Sequence, residues 1–307
     1  MKLDRIIIGT DFSHASVAGA RWTAHRFAPE AEVVLAHVVT VPEPPAFLRG
    51  RFASTDSLVT TAREGAEQRL RELAPSLGAG RVQIETRVGK PWEELAKLAT
   101  EFDADAIAVG RHGARPGVWG RLGSTAEKLV RGAKVPVLLA TGLHDAKLRH
   151  VLAAVDDSES APAVASWVRY FAARDGVRVT ALHVIASAVL DSVLAPVTAG
   201  AHGANDDEDD DGADVREDVR RDADRWVAGL LGAGLAPERV ASEVAFGEAG
   251  QEILAAATRH DTDLIVTGSH GGSALRRLVV GSVASEVLRG AACPVLVVNV
   301  PEDEIVD

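Results

Sequence analysis

The sequence predicts two tandem copies of one doubly wound α/β domain, each built on a parallel sheet. Three observations carry this. The 307 residues suit two domains at roughly 100–200 residues each. Near-continuous apolar runs (IIIG, VVLAHVV, AIAVG, LIVTG, PVLVVNV) have the make-up of strands buried on both faces. They alternate with helical patterns, the order that winds into an α/β layer through right-handed crossovers. The chain also repeats itself: residues 103–141 align without a gap on 261–299, with 15 of 39 positions identical, the mark of an internal duplication.

The elements follow in order. In the first copy, strands are expected near 4–10, 32–39, 81–88, 105–110 and 135–141, and helices near 13–28, 55–74, 91–101 and 123–131. The second copy repeats the strands near 148–155, 177–185, 239–246, 262–268 and 294–300, with helices between. The front ends match too: IIIGTDFSHAS (6–16) lies over VLAAVDDSESA (151–161), Trp22 over Trp167, and His37-Val38-Val39 over His183-Val184-Ile185. The offset then grows from 146 to 158, so the second copy carries an insertion, placed at the acidic tract NDDEDDD of 205–211. The domains are read as 1–144 and 145–307, with the linker near Thr141–Leu148.

Bulk properties narrow the function. The composition, 47% hydrophobic and 25% charged, is that of a globular protein. A formal net charge of −11 argues against nucleic acid as a partner, which needs a basic footprint, but not against a nucleotide, which needs only local donors. No apolar run nears the roughly 18 residues of a membrane span, so no membrane partner is expected. The first apolar run is too short for a leader and meets an Asp at once. With a single cysteine, Cys293, no internal disulfide can form, and the chain is expected to be cytoplasmic.

One motif carries chemistry, and it occurs twice. Gly110-x2-Gly113-x9-Gly123-Ser124 is matched by Gly268-x2-Gly271-x9-Gly281-Ser282. In each copy the first glycine ends an apolar strand and the Gly-Ser pair opens an amphipathic helix. Glycines let backbone approach an anion closely, a helix N-terminus offers unpaired N–H groups and a favourable dipole, and the serines add hydroxyl donors. The bland alternative is a glycine loop with an ordinary serine cap; two copies at one spacing weigh against it.

The second element is the acid after the first strand, Asp11 in GTDFS and Asp156 in AVDDS. Ligands of open α/β sheets lie beyond the carboxyl ends of strands. If the first and fourth strands are neighbours, each Asp stands beside its own glycine loop. There it would meet ribose hydroxyls or a Mg²⁺ ion; alternatively it caps the next helix, a task that Ser13 and Ser158 could take instead.

With these residues in place, the chain resembles a tandem universal stress protein of the ATP-binding type. The resemblance rests on the glycine motif, the Asp after strand one, the HVV/HVI second strand, and the endings Lys134-Val135-Pro136-Val137-Leu138 and Cys293-Pro294-Val295-Leu296. It covers nearly the whole chain. It implies adenine-nucleotide-binding (HUP-like) α/β/α domains with five strands in the order 3-2-1-4-5. It further implies ATP with Mg²⁺ held in each copy, Asp11 and Asp156 being candidate metal contacts, and pairing through the fifth strands. The role it implies is stress-response or dormancy regulation. Purine contacts carried over from the family fall on Val38 and Val39, and on Val184 and Ile185. The loops differ: the first holds Pro116 and Trp119, and His112 and His270 follow the first motif glycine in each copy.

Other signals are weaker. Residues 207–218 space their acids like a calcium loop but end on Asp218 rather than Glu, so a solvated, disordered acidic loop is expected. Cys293 beside Pro294 reads as a small buried residue. There is no P-loop and no nucleophile elbow, hence a binding site without an evident general base. Three alternatives to the ATP-binding regulator stay open: a slow Mg-dependent ATPase or phosphotransferase using Asp11 or Asp156, an interaction protein working through strand edges, and an AMP or cyclic AMP binder. The apolar fifth strands, Val135–Thr141 and Pro294–Val300, would otherwise be exposed edges. Intramolecular pairing of the two copies is therefore expected, and further pairing into a homodimer of chains is compatible with it.

Overall fold

The computed structural model describes residues 2–41, 55–78, 80–113, 122–141, 147–187, 210–231, 235, 237–269 and 281–299. Contacts divide it into two units. The first takes the described residues up to Lys147 together with those from Ala292 on; the second takes those from Leu148, ending with Gly281–Ala291.

In the first unit the order is β1 (Arg5–Gly9), α1 (His14–Trp22) continued by a π turn (Thr23–Phe27), β2 (Glu32–Val39), α2 (Thr55–Leu73), β3 (Val82–Val88), α3 (Pro91–Glu101), β4 (Ala106–Gly110), α4 (Ser124–Gly132) and β5 (Val137–Ala140). These strands run parallel in the order β3-β2-β1-β4-β5, the order that the resemblance implies. The chain's last strand, β10 (Val295–Val298), adds antiparallel to β5 with Leu296 opposite Leu138. The two fifth strands thus pair, and the apolar edge of β5 is covered.

The second unit runs β6 (His150–Ala154), α5 (Ala161–Asp175), β7 (Arg178–Ile185), α6 (Asp210–Leu231), β8 (Val240–Phe246), α7 (Ala249–Arg259), β9 (Leu264–Gly268) and α8 (Ser282–Gly290). Its sheet is parallel in the order β8-β7-β6-β9.

The apolar runs form strands because both faces are covered. Ile6, Ile7, Ile8, Leu35 and Ile107 are fully buried, as are Phe27 and Phe171, and Trp22 and Trp167 are buried with them. The duplication reaches individual backbone groups. The Asp105 carboxylate accepts the N–H groups of Asp4 (2.7 Å) and Arg5 (2.9 Å) at the start of β1. Asp263 does the same for Arg149 (2.8 Å) and His150 (3.0 Å) at β6. Asp103 and Asp261 share φ 48°, and Gly89 and Gly247 share φ 150°. The last value belongs essentially to glycine, and it lets Gly89 and Gly247 donate to Val39 O and Ile185 O, each at 3.0 Å.

One expectation fails. The acidic stretch is not a loop throughout: 205–209 lie outside the described residues, but Asp210–Asp218 open the 22-residue helix α6. Further along, Asp218 pairs with Arg221 and Asp222 with Arg225 at i,i+3. A charge run that reads as a loop by composition is here, from Asp210, the start of a helix. The calcium-loop spacing within it is helical from Asp210 onward.

Candidate functional site

Strand order decides what meets at the carboxyl ends. β1 lies beside β4, with Gly9 opposite Val109, and β6 beside β9, with Ala154 opposite Thr267. Each post-strand Asp therefore emerges next to its own glycine loop. In the first unit the approach is close: a Cβ built on Gly113 would stand 3.0 Å from Asp11 Oδ2. In the second unit a cavity of about 220 Å³ is walled by Asp156, Val184, Gly268, Gly281 and Ser282, five of the expected residues.

The acids are held, not capping. Asp11 Oδ1 accepts from Ser13 N (3.0 Å) and Ser13 Oγ (2.6 Å), while Ser13 itself caps α1 by accepting from Ser16 N (3.2 Å). Asp156 Oδ1 accepts from Ser158 N (3.2 Å) and the Ser158 hydroxyl, and the N-cap of α5 is Ser160 rather than Ser158.

The glycines before the helices do a different job from the one their position suggests. A phosphate cradle would have the N–H of Gly281 face the anion, with a positive φ available to it. Instead Gly281 has φ −54° and donates to Ser269 O at 3.0 Å; Gly123 has φ −63° and donates to Arg111 O at 3.0 Å. These N–H groups close the loop onto the helix start. What the position requires is small size: a Cβ on Gly123 would meet Arg111 O at 3.2 Å. The donors that helix geometry leaves without an intrahelical partner are those of the first turn. Ser282, Val283 and Ala284 supply them in α8, and all three line the cavity. Neither α4 nor α8 has a side-chain cap competing for that turn.

Val184 shares its face of β7 with Leu182, which also lines the cavity. By strand alternation, Ile185 and His183 face the other side. Val38 and Val39 are buried at the end of β2. The paired histidines have a role that the motif did not disclose. His37 Nδ1 bonds Thr10 O at 2.7 Å and His183 Nδ1 bonds Val155 O at 2.9 Å. Each bond fixes the carbonyl just before the Asp, which requires the hydrogen on Nδ1. Burial holds His37 below its ordinary pKa. Beside it Phe12, at φ 61°, stacks on the imidazole at 4.5 Å, and the Arg69 guanidinium lies 4.1 Å from the Phe12 ring centre. In the second copy Asp157 replaces Phe12, and His183 instead meets Trp226 edge-on at 5.4 Å.

Sequence reasoning also missed Ala249 and Ile253 of α7, which wall the cavity from the helix before β9; nothing in the motif marks them. Gly271, His270, Pro116 and Trp119 lie outside the described residues. Cys293 is buried, at 3% exposure. Among the described residues no group of three or more His, Cys, Asp or Glu could hold a metal, and no helix is long and apolar enough to cross a membrane.

Chemically, the cavity brings together a carboxylate, a helix start and the apolar side chains of Leu182, Val184 and Ile253. That suits an anionic group at the helix, a hydroxyl-bearing group at the carboxylate and a flat apolar group on the wall.

Comparison with known proteins agrees with this architecture. The sequence model of the Universal stress protein family matches residues 2–141 and again 147–299. The chain is similar to a universal stress protein of Mycolicibacterium smegmatis, 27% identical over 305 residues that cover 96% of each chain. A universal stress protein of Methanocaldococcus jannaschii is 41% identical over 66 residues, 22% of this chain and 39% of that one. Among solved structures, a universal stress protein from Archaeoglobus fulgidus superposes with TM-score 0.67 at 20% identity, covering 99% of this chain and 98% of that one. A putative universal stress protein from Pseudomonas aeruginosa does so with TM-score 0.63 at 17% identity, covering 98% and 94%. At such identities these structures show the fold.

Proposed function

This chain belongs to the universal stress protein family, and on that premise we propose that it binds ATP, with Mg²⁺, once in each unit, and acts as a stress-response regulator rather than a fast enzyme. The observation that carries the reading is the second-unit cavity, where Asp156, Val184, Gly268, Gly281 and Ser282 converge. Four of the five belong to the repeated motif and the post-strand acid, and Val184 is the purine contact that the family resemblance implies.

The parts suit a nucleoside polyphosphate. The first turn of α8 offers its N–H groups and the Ser282 hydroxyl to phosphate. The Asp156 carboxylate suits ribose hydroxyls or the ion. Leu182, Val184 and Ile253 offer an apolar surface to the base. A protein-only metal cage is not what such an ion needs. Mg²⁺ usually rests on one or two carboxylates, water and the substrate's own phosphates, and one carboxylate per unit fits that donor set. When bound, the ion would neutralise phosphate charge beside Asp11 or Asp156.

Titration calorimetry with Mg-ATP, AMP and cyclic AMP tests this. The expected result is about two sites per chain for Mg-ATP, of unequal affinity because the two loops differ in sequence, with turnover slower than release. Preference for AMP or cyclic AMP would replace the ligand; no binding of any adenine nucleotide would overturn the reading.

A further inference from the structure

Arg111, which the nucleotide reading does not use, ties together three elements around the first glycine loop. Its N–H donates to Ala140 O at the end of β5 (3.3 Å), and its carbonyl accepts from Gly123 N at the start of α4 (3.0 Å). Its guanidinium Nη2 donates to Cys293 O, just ahead of β10, at 2.8 Å. The residue is only 7% exposed, and burial works against its charged form.

The device belongs to the first copy alone. At the matching position of the second copy stands Ser269, whose carbonyl receives Gly281 N in the same way but which has no guanidinium to extend to a strand. The far end of the β5–β10 pair is closed by other means: Asn299 Nδ2 donates to Ala133 O at 2.8 Å. β10 itself is four residues long, with three of them in register with β5. A strand so short opens at low free energy unless its ends are held.

We infer that Arg111 is a positioning residue that couples occupancy of the first glycine loop to the anchoring of β10. The inference rests on the proposed reading of that loop as a nucleotide site. An anion bound there would fix the backbone from Gly110 to Gly113 and the start of α4. It would thereby fix the residue whose side chain holds Cys293 O. The negative charge would also offset the cost of keeping a guanidinium out of water. Linkage makes the effect reciprocal: whatever loosens β10 weakens binding at the first loop by the same factor.

The test is hydrogen–deuterium exchange on the full chain, with and without Mg-ATP, in the wild type, Arg111→Lys and Arg111→Ser. Peptides from each glycine loop report occupancy of each site separately. In the wild type, ligand slows exchange of the β10 amides several-fold. In Arg111→Ser that slowing is lost and first-loop affinity falls about tenfold, within the usual range of coupling, while second-loop affinity is unchanged. Arg111→Lys, which keeps a cationic donor, recovers part of both. Exchange in β1–β3 peptides shows whether a variant is folded; if Arg111→Ser is not, the lysine variant carries the comparison. Equal ligand-induced slowing of β10 in wild type and variants, with nucleotide held at the first loop, would overturn the inference and leave the proposed function standing. No uptake at the first loop of the wild type would remove the nucleotide reading there and this inference with it.

Discussion

Asp11 and Gly113 sit so close that a Cβ on the glycine would stand 3.0 Å from Asp11 Oδ2. The contact joins the loop after β1 to the loop after β4, and the glycine is what makes room for the carboxylate. Gly113→Ala is expected to push Asp11 aside without unfolding the unit. Mg-ATP affinity at the first site should fall about tenfold, or ~1.4 kcal/mol, with the second site unaffected. Calorimetry on the variant checks this; unchanged affinity would mean that Asp11 takes no part in binding.

The second unit carries a pH-dependent stability term. His150 is buried, with Nδ1 on Thr262 Oγ1 (3.1 Å) and Nε2 on Thr180 Oγ1 (2.9 Å). Burial first, then the neighbouring His260 and Arg178, push its pKa down to about 4, against the pull of Asp263 and Asp261. Unfolded, it titrates near ~6.5. The folded state therefore favours the neutral ring: its contribution is complete above ~6.5 and is lost as pH falls toward 4. At ~1.4 kcal/mol per pKa unit, the loss is on the order of 3 kcal/mol. Urea unfolding at pH 7.5 and 4.5 should show a smaller pH dependence in His150→Asn than in the wild type. Equal slopes would refute the assignment. The first copy has Arg5 at this position and lacks the term.

Gly89 and Gly247, both at φ 150°, should resist substitution. Alanine there strains the backbone by about 1–3 kcal/mol, and its Cβ would meet Glu94 Cγ at 3.2 Å or Glu252 Oε1 at 3.1 Å. Gly65 is the control: it lies within α2 and a Cβ there meets nothing within 4 Å. Gly65→Ala should stabilise by roughly 0.5–1 kcal/mol. Opposite signs in Tm for the two kinds of variant are the expected outcome.

Much of this was legible because the signals were periodic or repeated. IIIG and LIVTG, short apolar runs that alternate with helical patterns, fit strands with both faces covered, and the edge argument about the fifth strands anticipated the pairing of Leu138 with Leu296. Gly268, Gly281 and Ser282 could be placed at one site because spacing survives duplication. What escaped notice depends on direction or on distance along the chain. Spacing does not say where the Gly281 N–H points, and it points to Ser269 O. Ile253 reaches the cavity from a helix whose own pattern reads only as core. The start of α6 was misread because acidic composition describes solvation equally well on a loop and at a helix N-terminus. Arg111 carries no mark in the sequence, because its bond to Cys293 O spans 182 residues.

The last prediction separates the backbone from the hydroxyl at the start of α8. Gly281, at φ −54° and ψ 147°, occupies a conformation open to any residue, so Gly281→Val brings little backbone strain and can keep its bond to Ser269 O. What changes is space: a branched side chain is added at a position that walls the cavity, next to the N–H groups of Ser282, Val283 and Ala284. Loss of one charge-assisted hydrogen bond costs about 1.5–3 kcal/mol, and ~1.4 kcal/mol is tenfold in affinity, so second-site affinity should fall at least tenfold. Valine is also a poorer N-cap than glycine, which should lower Tm by a few degrees. Ser282→Ala leaves every backbone donor in place and removes one hydroxyl, worth about 0.5–1.5 kcal/mol, so it should weaken the second site by roughly tenfold at most. Gly123→Val would affect the first site alone, and more severely, since its Cβ meets the backbone oxygen of Arg111. Calorimetry on all three variants gives the ranking directly. If Gly281→Val bound ATP at the second site as tightly as the wild type, phosphate could not be resting on the first turn of α8.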